Sequence, residues 1–440
     1  MSKLRCTLSS LIGTGSAFVV EPGDEAYVQR ILNHDIDLEL YNQIVQHGKA
    51  LGVSCEFKKI VDYFKVPEGE TPAGFRVEYS LRANGLVKAN LVRDIACDKN
   101  GKKRPSKIIF SADSANPYEV ESMKNMIGNL TCNPAIIYNQ FINNPKANID
   151  GKYKTRDEVM TDIGNILGPG CDISVELNDP FNSTDEEILE EAARFRDMLS
   201  EYRVVIKVPH TGPVNGQNVS ELLTGDKRFS KRYNQGNPED FFRGHNIALM
   251  LHEHGYRVNF TLMFEPYQTA MALLARPYFI NSFVMFRHSQ SVQLAGIMKA
   301  YEETGDLLFI EQLKKYMLEN DYLSADETGV DLFAAYTRAK DILSYRGFAD
   351  NAAADGLDSV RHNLRCLRQA NLPDTRLIIC NMQGENYYPY IDRLLMEPEF
   401  IDMADRVVIT AAPSLLAEFT SNPLVVQFHR RFMNAAQGAK

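Results

Sequence analysis

A single lysine stands inside a short run of aliphatic residues, at Lys207 in Val204–Val208. Runs of this kind are typical of parallel strands that are buried on both faces. Burial strips water from an ammonium group, which lowers its pKa and frees the amine to form a Schiff base with a carbonyl substrate. On this segment alone, a lysine at a strand end whose ammonium reaches solvent is the favoured interpretation. Polar residues on the other predicted strands reverse that preference.

Those polar residues lie where the predicted strands end. The carboxyl ends of parallel barrel strands meet at one face, where barrel enzymes place their working residues. Each residue alone has a structural explanation, such as a helix cap, a turn or a buried hydrogen bond, but their appearance on successive strands favours one shared site. The candidates are Asp113, Asn133, Glu176, Lys207, Asn259, Thr261, Ser282, Arg287 and Asn381.

The strands that would position these residues are recognisable from residue 107 onward, where short apolar runs alternate with helical stretches. One such stretch, Asp185–Leu199, follows a predicted N-cap at Thr184. Eight strands that alternate with helices favour a (β/α)8 TIM barrel over a doubly wound open sheet. The predicted strands are Ile108–Ala112, Gly128–Thr131, Ile173–Glu176, Arg203–Val208, Arg257–Leu262, Phe279–Phe283, Arg376–Asn381 and Arg406–Thr410.

A polar, basic connector at Asp98–Ser106 divides the chain into two predicted regions. Residues 1–105 form an N-terminal extension of unknown role, and residues 106–440 form the barrel. Two connections are longer than a barrel needs, at about 212–244 and 289–373, and the second is mostly helical by pattern. The first insertion follows the lysine strand, so we expect it to overhang the active face.

Within the N-terminal extension, two segments show helical patterns, Ala26–Leu32 and Ile36–Leu51. A third segment, Phe75–Leu81, alternates as a half-buried strand does. This extension would cover one end of the barrel or mediate assembly, so a homo-oligomer remains open.

The composition excludes several classes of protein. The chain has 440 residues, of which 44% are hydrophobic and 24% are charged, as in ordinary globular proteins. A net charge of −9 argues against a general surface for nucleic acid or anionic membranes, although a local basic pocket for an anionic substrate is still compatible with it. No Gly-x-Gly-x-x-Gly or Walker loop indicates nucleotide binding.

The cysteines and the hydropathy indicate the compartment. Seven scattered cysteines without a Cys-x-x-Cys pair are typical of reduced thiols and indicate neither a disulfide framework nor a zinc site. The first residues lack the apolar core of a signal peptide, and no segment approaches the roughly 18 apolar residues that span a bilayer. We therefore expect a cytoplasmic protein with no metal, no cofactor, and no membrane or nucleic-acid partner.

Several of these segments together resemble, in order from about Ile108 to Ser421, the motifs of the transaldolase family. The resemblance implies a transaldolase-type (β/α)8 barrel of carbohydrate metabolism, as in the pentose phosphate pathway. The segments that carry it are Ser111–Ala115, Leu130–Ile137, Ile173–Glu176, Val205–Pro209, Asn259–Phe264 with Gln268 and Ala270, Asn281–Arg287, and Asp405–Thr410 through Leu416.

The same resemblance implies roles for the candidate residues. Lys207 would form an imine with the C2 carbonyl of a ketose, and Asp113 would move the proton of the C4 hydroxyl. Glu176, through a water held with Thr261, would shuttle protons when the imine forms and breaks. Arg287 would hold an anionic tail of the sugar substrate. The dihydroxyacetone part would be held by Asn133, Asn259, Ser282, Thr131 and Asn381.

The chain departs from the family at the anion site. Transaldolases usually carry a second phosphate-binding arginine just after the seventh strand, where this chain has Ile379–Gly384 without an arginine. The anion would then be phosphate held by another residue, a sulfonate, or absent. Candidate cations in the first insertion are Arg228, Lys231, Arg232 and Arg243.

Three functions follow from these observations. The first is transfer of a dihydroxyacetone unit from a ketose to an aldehyde. The second is a lyase of the fructose-6-phosphate aldolase kind, which releases dihydroxyacetone to water. Glu176 favours the transferase, because the lyase branch resembles a glutamine at that position. The third is a sugar-binding barrel without turnover, against which Lys207, Asp113 and Glu176 argue together.

Overall fold

The computed structural model describes residues 6–12, 18–348, 355–380, 382 and 387–438. Within these residues, a four-stranded sheet with its own hydrophobic core precedes a closed barrel of eight parallel strands. The barrel strands pair in chain order, and the last strand closes on the first. The predicted (β/α)8 fold is therefore confirmed.

The N-terminal region is a mixed sheet with helices. The helix predicted over 26–32 is the shorter α1, and the helix predicted over 36–51 ends at His47, because the aliphatic residues after it form a strand that fills this region's core. The strand predicted over 75–81 is confirmed with its bounds. The elements are β1 (Val19–Val20), α1 (Glu25–Val28), α2 (Leu38–His47), β2 (Ala50–Val53), α3 (Cys55–Tyr63), β3 (Phe75–Leu81) and β4 (Leu86–Arg93), and the sheet order is β1-β2-β4-β3.

All eight predicted barrel strands are present, and each begins and ends within one residue of its predicted bounds. The strand predictions were accurate because strands buried on both faces are continuous apolar runs bounded by turn residues. They are β5 (Ile109–Asp113), β6 (Ile127–Cys132), β7 (Asp172–Glu176), β8 (Val204–Pro209), β9 (Arg257–Thr261), β10 (Phe279–Phe283), β11 (Arg376–Cys380) and β12 (Val407–Ala411).

Helices surround the barrel and cover the outward faces of its strands. The predicted helix Asp185–Leu199 and its Thr184 cap are confirmed. The Thr184 hydroxyl accepts a hydrogen bond from the Glu187 N–H at 3.2 Å, and the Glu187 carboxylate accepts one from the Thr184 N–H at 2.8 Å. A π-helix, Ala135–Ile142, follows β6. The described α-helices of this part are α4 (Pro117–Met123), α5 (Arg156–Leu167), α6 (Asp185–Leu199), α7 (Pro238–Glu253), α8 (Gln268–Leu274), α9 (Met285–Thr304), α10 (Leu307–Glu319), α11 (Leu332–Tyr345), α12 (Asp358–Gln369), α13 (Tyr387–Leu395), α14 (Pro413–Glu418) and α15 (Pro423–Gly438).

The lumen of the barrel is apolar near the amino ends of the strands. Side chains of five strands form one buried cluster there, and Ile95, just after β4, packs into the same cluster. Arg93 donates to the buried carboxylate of Asp172 at 2.8 Å, and Asp94 accepts from Arg376 at 2.7 Å. The N-terminal region therefore closes the amino end of the barrel and leaves the carboxyl end for the polar residues.

The two long insertions meet at the other end. The segment after β8 contacts the helical insertion through Arg228, which lies 3.9 Å from Asp321, and Arg232, which lies 3.9 Å from Glu327. The helices α9, α10 and α11 have a small core of their own, which includes Leu313. Both insertions follow the carboxyl ends of barrel strands, so they stand around the face that bears the candidate site.

None of the described helices is both long and apolar enough to cross a membrane. All seven cysteines are free thiols.

Candidate active site

Lys207 lies at the centre of the polar end of the lumen. The strand register places it beside Glu176 of β7 on one side and beside Asn259 of β9 on the other. The Lys207 Nζ atom lies 3.1 Å from the Glu176 Oε2 atom, and the side chain of Lys207 is only 8% exposed. The amine is therefore sheltered inside the barrel, and the interpretation of Lys207 as a strand-end lysine in solvent is wrong.

Two carboxylates determine the protonation state of this amine. Burial alone lowers the pKa of Lys207, as expected from the sequence, but the charges of Glu176 and Asp113 outweigh it and raise the pKa to about 12. The expectation that the unliganded lysine is a free amine is therefore wrong. Lys207 rests as an ammonium paired with Glu176, so its amine would have to lose a proton before it could act as a nucleophile.

Asp113 ends β5 and is held by its neighbour in the barrel. The Thr131 hydroxyl donates a hydrogen bond to the Asp113 Oδ1 atom at 2.7 Å, and the two residues are register partners. This bond fixes the orientation of the carboxylate. Asp113 also lines a cavity of about 220 Å³ at the carboxyl ends of the first and last barrel strands.

Asn259 contacts a residue that the sequence did not single out. The Asn281 side-chain amide donates to the Asn259 Oδ1 atom at 2.6 Å and to the Phe260 carbonyl at 2.9 Å. Both side chains are buried. Asn281 was detectable from the two-residue alternation of β10, in which Phe279 faces the lumen and Asn281 is the next residue on that face.

Ser282 lies on the opposite face of β10 from that of Asn281. Its hydroxyl accepts a hydrogen bond from the Asn363 side-chain amide of α12 at 2.7 Å, so it belongs to the layer between strand and helix. The expectation that Ser282 faces the substrate is therefore not met, because the side chains of neighbouring strand residues point to opposite faces. Asn281 takes the lumen position instead.

Several buried polar atoms at this end of the lumen have no hydrogen-bond partner among the described residues. They are the Asn259 Nδ2, Thr261 Oγ1 and Thr410 Oγ1 atoms. Buried polar atoms in folded proteins nearly always have a partner, so unpaired ones indicate where water or a ligand binds. Thr261 lies two residues beyond Asn259 on the same strand face, so its hydroxyl is on the lumen side with that amide.

The remaining candidates lie at the rim of the barrel. The Asn133 Oδ1 atom accepts a hydrogen bond from the Ile136 N–H of the following π-helix at 2.9 Å, so part of its amide has a structural role. Asn381 lies outside the described residues. Arg287 is buried near the start of α9, where its Nε atom lies 2.7 Å from Glu265 and its Nη1 atom contacts Asp358.

The four cations proposed for the anion site have other contacts or lie at the surface. Arg228 and Arg232 contact the helical insertion. Arg243 donates to Asp185 at 2.8 Å, and Lys231 is exposed. The buried cation next to Arg287 is instead Arg346, just after α11, which contacts the other oxygen of Glu265. Sequence reasoning missed Arg346 because it lies 59 positions away and no motif marks it.

A polar layer that the sequence did not single out lies next to these residues, on the side toward the amino ends of the strands. The Asn129 side-chain amide donates to the Ser111 hydroxyl at 2.9 Å, and the Ser174 hydroxyl donates to the Asn129 Oδ1 atom at 3.5 Å. The signal was a polar residue two positions before a candidate on each of three strands. The described residues contain no group of three or more His, Cys, Asp or Glu side chains placed to hold a metal ion.

The chain was compared with the sequence patterns of known families and with curated protein sequences, and the first comparison gave a match. The sequence pattern of the Transaldolase/Fructose-6-phosphate aldolase family matches residues 110–328, which run from the second residue of β5 past β10 and include most of the candidate site. No curated protein sequence matches the chain.

Proposed function

The chain belongs, through residues 110–328, to the Transaldolase/Fructose-6-phosphate aldolase family, and we propose that it transfers a dihydroxyacetone unit from a ketose to an aldehyde through an imine on Lys207. The observation that carries the proposal is the buried Lys207 Nζ atom 3.1 Å from Glu176, in a lumen that also presents Asp113 and Asn259. A desolvated lysine beside a carboxylate that can take its proton is suited to attack a carbonyl carbon.

In the first step, the Lys207 ammonium passes a proton to Glu176, and the free amine attacks the C2 carbonyl of the ketose. The resulting carbinolamine loses water as Glu176 returns the proton to the departing hydroxyl, which leaves a protonated imine. The unpaired hydroxyl of Thr261 would hold the water that connects Glu176 with C2. Because the amine is otherwise held as an ammonium, transfer of its proton to Glu176 precedes attack.

In the second step, Asp113 takes the proton of the C4 hydroxyl. The electron pair of the C3–C4 bond moves into the imine, which gives an enamine, and the first aldehyde leaves. The enamine then attacks the acceptor aldehyde, and Asp113 returns its proton to the new C4 oxygen. Hydrolysis of the imine restores Lys207 and releases the new ketose. Thr131 holds Asp113 in place for both proton transfers.

Binding of the dihydroxyacetone part falls to the amides around the lysine. The Asn259 amide N–H beside Lys207 has no partner within the described part of the chain, and Asn281 fixes the orientation of that amide through its own hydrogen bond. Asn133 and Thr131 would bind the substrate on the side toward Asp113. Asn381 stays a prediction of this site. Oriented amides of this kind hold hydroxyl oxygens at the distances that bond cleavage requires.

The imine is tested by reduction. Incubation with dihydroxyacetone and borohydride should add one reduced adduct to the protein, and a mass spectrum of its peptides should place it on Lys207. Lys207→Ala should abolish both the adduct and the turnover. Lys315→Ala, which removes an exposed lysine of α10, is the matched control and should leave both unchanged. An adduct that persists in Lys207→Ala would refute the assignment.

Transfer is separated from release by leaving out the acceptor. A transferase given fructose and no aldehyde should stop after about one equivalent of aldehyde product per site, whereas a lyase should continue to release dihydroxyacetone. Addition of an aldehyde such as glyceraldehyde should restore turnover in the transferase. Sustained release of dihydroxyacetone without an acceptor would favour the aldolase activity that the family name also includes.

A further inference from the structure

Two buried arginines at the rim of the barrel share one carboxylate. Glu265 contacts the Arg287 Nε atom at 2.7 Å through one oxygen and the Arg346 Nη2 atom through the other. Asp358, the first residue of α12, contacts the Arg287 Nη1 atom. We call these four residues the rim cluster. It contains two positive and two negative charges, so its guanidinium groups are neutralised within the chain.

The rim cluster adjoins the strands that carry the lysine site. Glu265 follows Thr261 of β9 by four positions, and Arg287 follows Asn281 of β10 by six. The rings of Phe264 and Phe283, whose centroids are 4.7 Å apart, hold these two strand exits together. A substrate bound to Lys207 with its chain directed toward β9 and β10 would therefore end at the rim cluster.

Two N–H groups of the cluster remain without a partner among the described residues, the Arg287 Nη2 and the Arg346 Nε groups. Both arginine side chains are more than nine-tenths buried. Such donors can bind a neutral hydroxyl oxygen without any change in the ion pairs. A phosphate dianion would instead lie beside Glu265 and Asp358, and like charges brought together at a binding site weaken binding.

The cavity on the other side of the lumen gives independent support. It is lined by Asp113, Asn116, Glu119, Gln140 and Asn144 together with serine and apolar residues, and its lining contains no lysine, arginine or histidine. A pocket for a phosphorylated sugar requires cationic groups or several convergent N–H donors. The polar amides and carboxylates of this cavity suit the hydroxyl groups of an uncharged aldehyde.

We propose that the protein acts on uncharged sugars, and that Glu265 and Asp358 determine this specificity by occupying the arginines that would otherwise hold an anionic tail. The inference rests on the proposed function and goes beyond it, because it assigns the substrate class. Arg346, which comes from the helical insertion, becomes a residue of the substrate site. The neutral hydroxyl end of the ketose would accept hydrogen bonds from the Arg287 Nη2 and Arg346 Nε groups.

The test compares fructose with fructose 6-phosphate as donors for the same acceptor aldehyde. The wild-type protein should show a kcat/KM for fructose at least about tenfold above that for the phosphate ester, in the range that a single specificity contact provides. Glu265→Gln and Asp358→Asn should each move that ratio toward the phosphate ester by about tenfold, because each removes one of the two opposing charges. Glu303→Gln, on an exposed residue of α9, is the control and should leave the ratio unchanged.

Borohydride reduction in the presence of dihydroxyacetone, which has no sugar tail, tests the proposed function separately from the proposed preference for uncharged sugars. If dihydroxyacetone gives no adduct on Lys207, the proposed function itself fails. If the adduct forms but the wild type prefers fructose 6-phosphate, or if both variants keep the wild-type ratio, only the assignment of uncharged sugars is overturned. Should one variant fail to fold, the other variant and the wild-type ratio still decide.

Discussion

The Asn281 amide donates a hydrogen bond of 2.6 Å to the Asn259 Oδ1 atom inside the barrel, and this bond determines which way the Asn259 amide points. With its oxygen engaged, Asn259 presents to its register partner Lys207 an N–H that none of the described residues accepts. Ser282, the next residue of β10, contacts Asn363 on the other side of the strand. The two neighbours should therefore have separable effects on activity and on stability.

Asn281→Ala should lower kcat/KM by about tenfold or more, because the Asn259 amide loses the contact that orients it and a buried acceptor is left unpaired. Ser282→Ala should leave kcat/KM within about twofold and lower the free energy of unfolding by about 1–3 kcal/mol, since the Asn363 amide loses its acceptor. Steady-state kinetics and urea unfolding of both variants measure this. Greater loss of activity in Ser282→Ala than in Asn281→Ala would contradict the register assignment.

The ammonium of Lys207 should lose its stabilisation when its partner charge is removed. Burial lowers the pKa of Lys207, while Glu176 and then Asp113 raise it to about 12 in the wild type. Glu176→Gln should therefore bring the pKa below the ordinary lysine value of about 10.4, since burial then dominates. Asp113→Asn should lower the pKa by less.

The measurement is a ¹³C titration of protein labelled at lysine Cε, in which the Lys207 signal is the one that Lys207→Met removes. The wild-type signal should show no titration below about pH 11, and the Glu176→Gln signal should titrate at lower pH. Because the folded-state pKa of Lys207 is raised, its stabilising contribution is present at neutral pH and is lost as the pH rises from the ordinary lysine value toward 12. An unchanged pKa in Glu176→Gln would contradict the pairing.

The sequence predicted the barrel well, because its information is local. Each strand is an apolar run bounded by turn residues, and the lysine inside one of them is conspicuous on composition alone. The prediction of a helix over 36–51 was wrong in its second part, because the structure there depends on contacts that are distant in the sequence. Aliphatic residues after His47 continue a helical pattern, yet they pair with β4 as strand β2, and such pairing depends on residues far away in the chain.

The site was harder to predict where it depends on orientation or on distant contacts. Ser282 and Asn281 are adjacent and polar, and only the register of β10 decides which one faces the lumen. The shift in the pKa of Lys207 depends on the 3.1 Å approach of Glu176, which no spacing in the sequence reveals. Arg346 joins the rim cluster from an insertion for which the sequence predicted only helical structure.

The buried carboxylate of Asp172 should be important for stability and not for catalysis. It accepts hydrogen bonds from Arg93 of the N-terminal region at 2.8 Å and from Arg257 of the barrel at 3.0 Å. Asp172→Asn should lower the free energy of unfolding by about 3–5 kcal/mol, because it removes a fully buried charge and leaves two partly buried guanidinium groups without their counter-charge.

Denaturant unfolding measures this change. Glu78→Gln, which removes a half-exposed partner of Arg76, is the matched control and should cost no more than about 1 kcal/mol. The kcat/KM of folded Asp172→Asn should stay near that of the wild type, since Asp172 lies at the amino end of β7, at the opposite end of the strand from Glu176. A loss of activity without a loss of stability would contradict this division.

The stability of the fold should decrease in mild acid because of His210. Its ring lies against Phe260 and His245, with centroids 4.3 Å and 5.0 Å away, and its Nδ1 atom lies 2.9 Å from the Thr261 carbonyl oxygen. Burial lowers the pKa of His210 from 6.5 to about 4, and the nearby His245 adds to this effect. Between pH 6.5 and 4 the unfolded chain therefore binds a proton that the folded protein does not.

The contribution of His210 to folding should be full above pH 6.5 and should fall by about 3 kcal/mol as the pH decreases to 4. Replacement by the neutral aromatic in His210→Phe should flatten the pH dependence of the unfolding free energy over that window. His254→Gln, at an exposed position after α7, should keep the wild-type slope. Urea unfolding at half-unit pH steps measures the three curves. Equal slopes for His210→Phe and the wild type would show that His210 already binds its proton in the folded state.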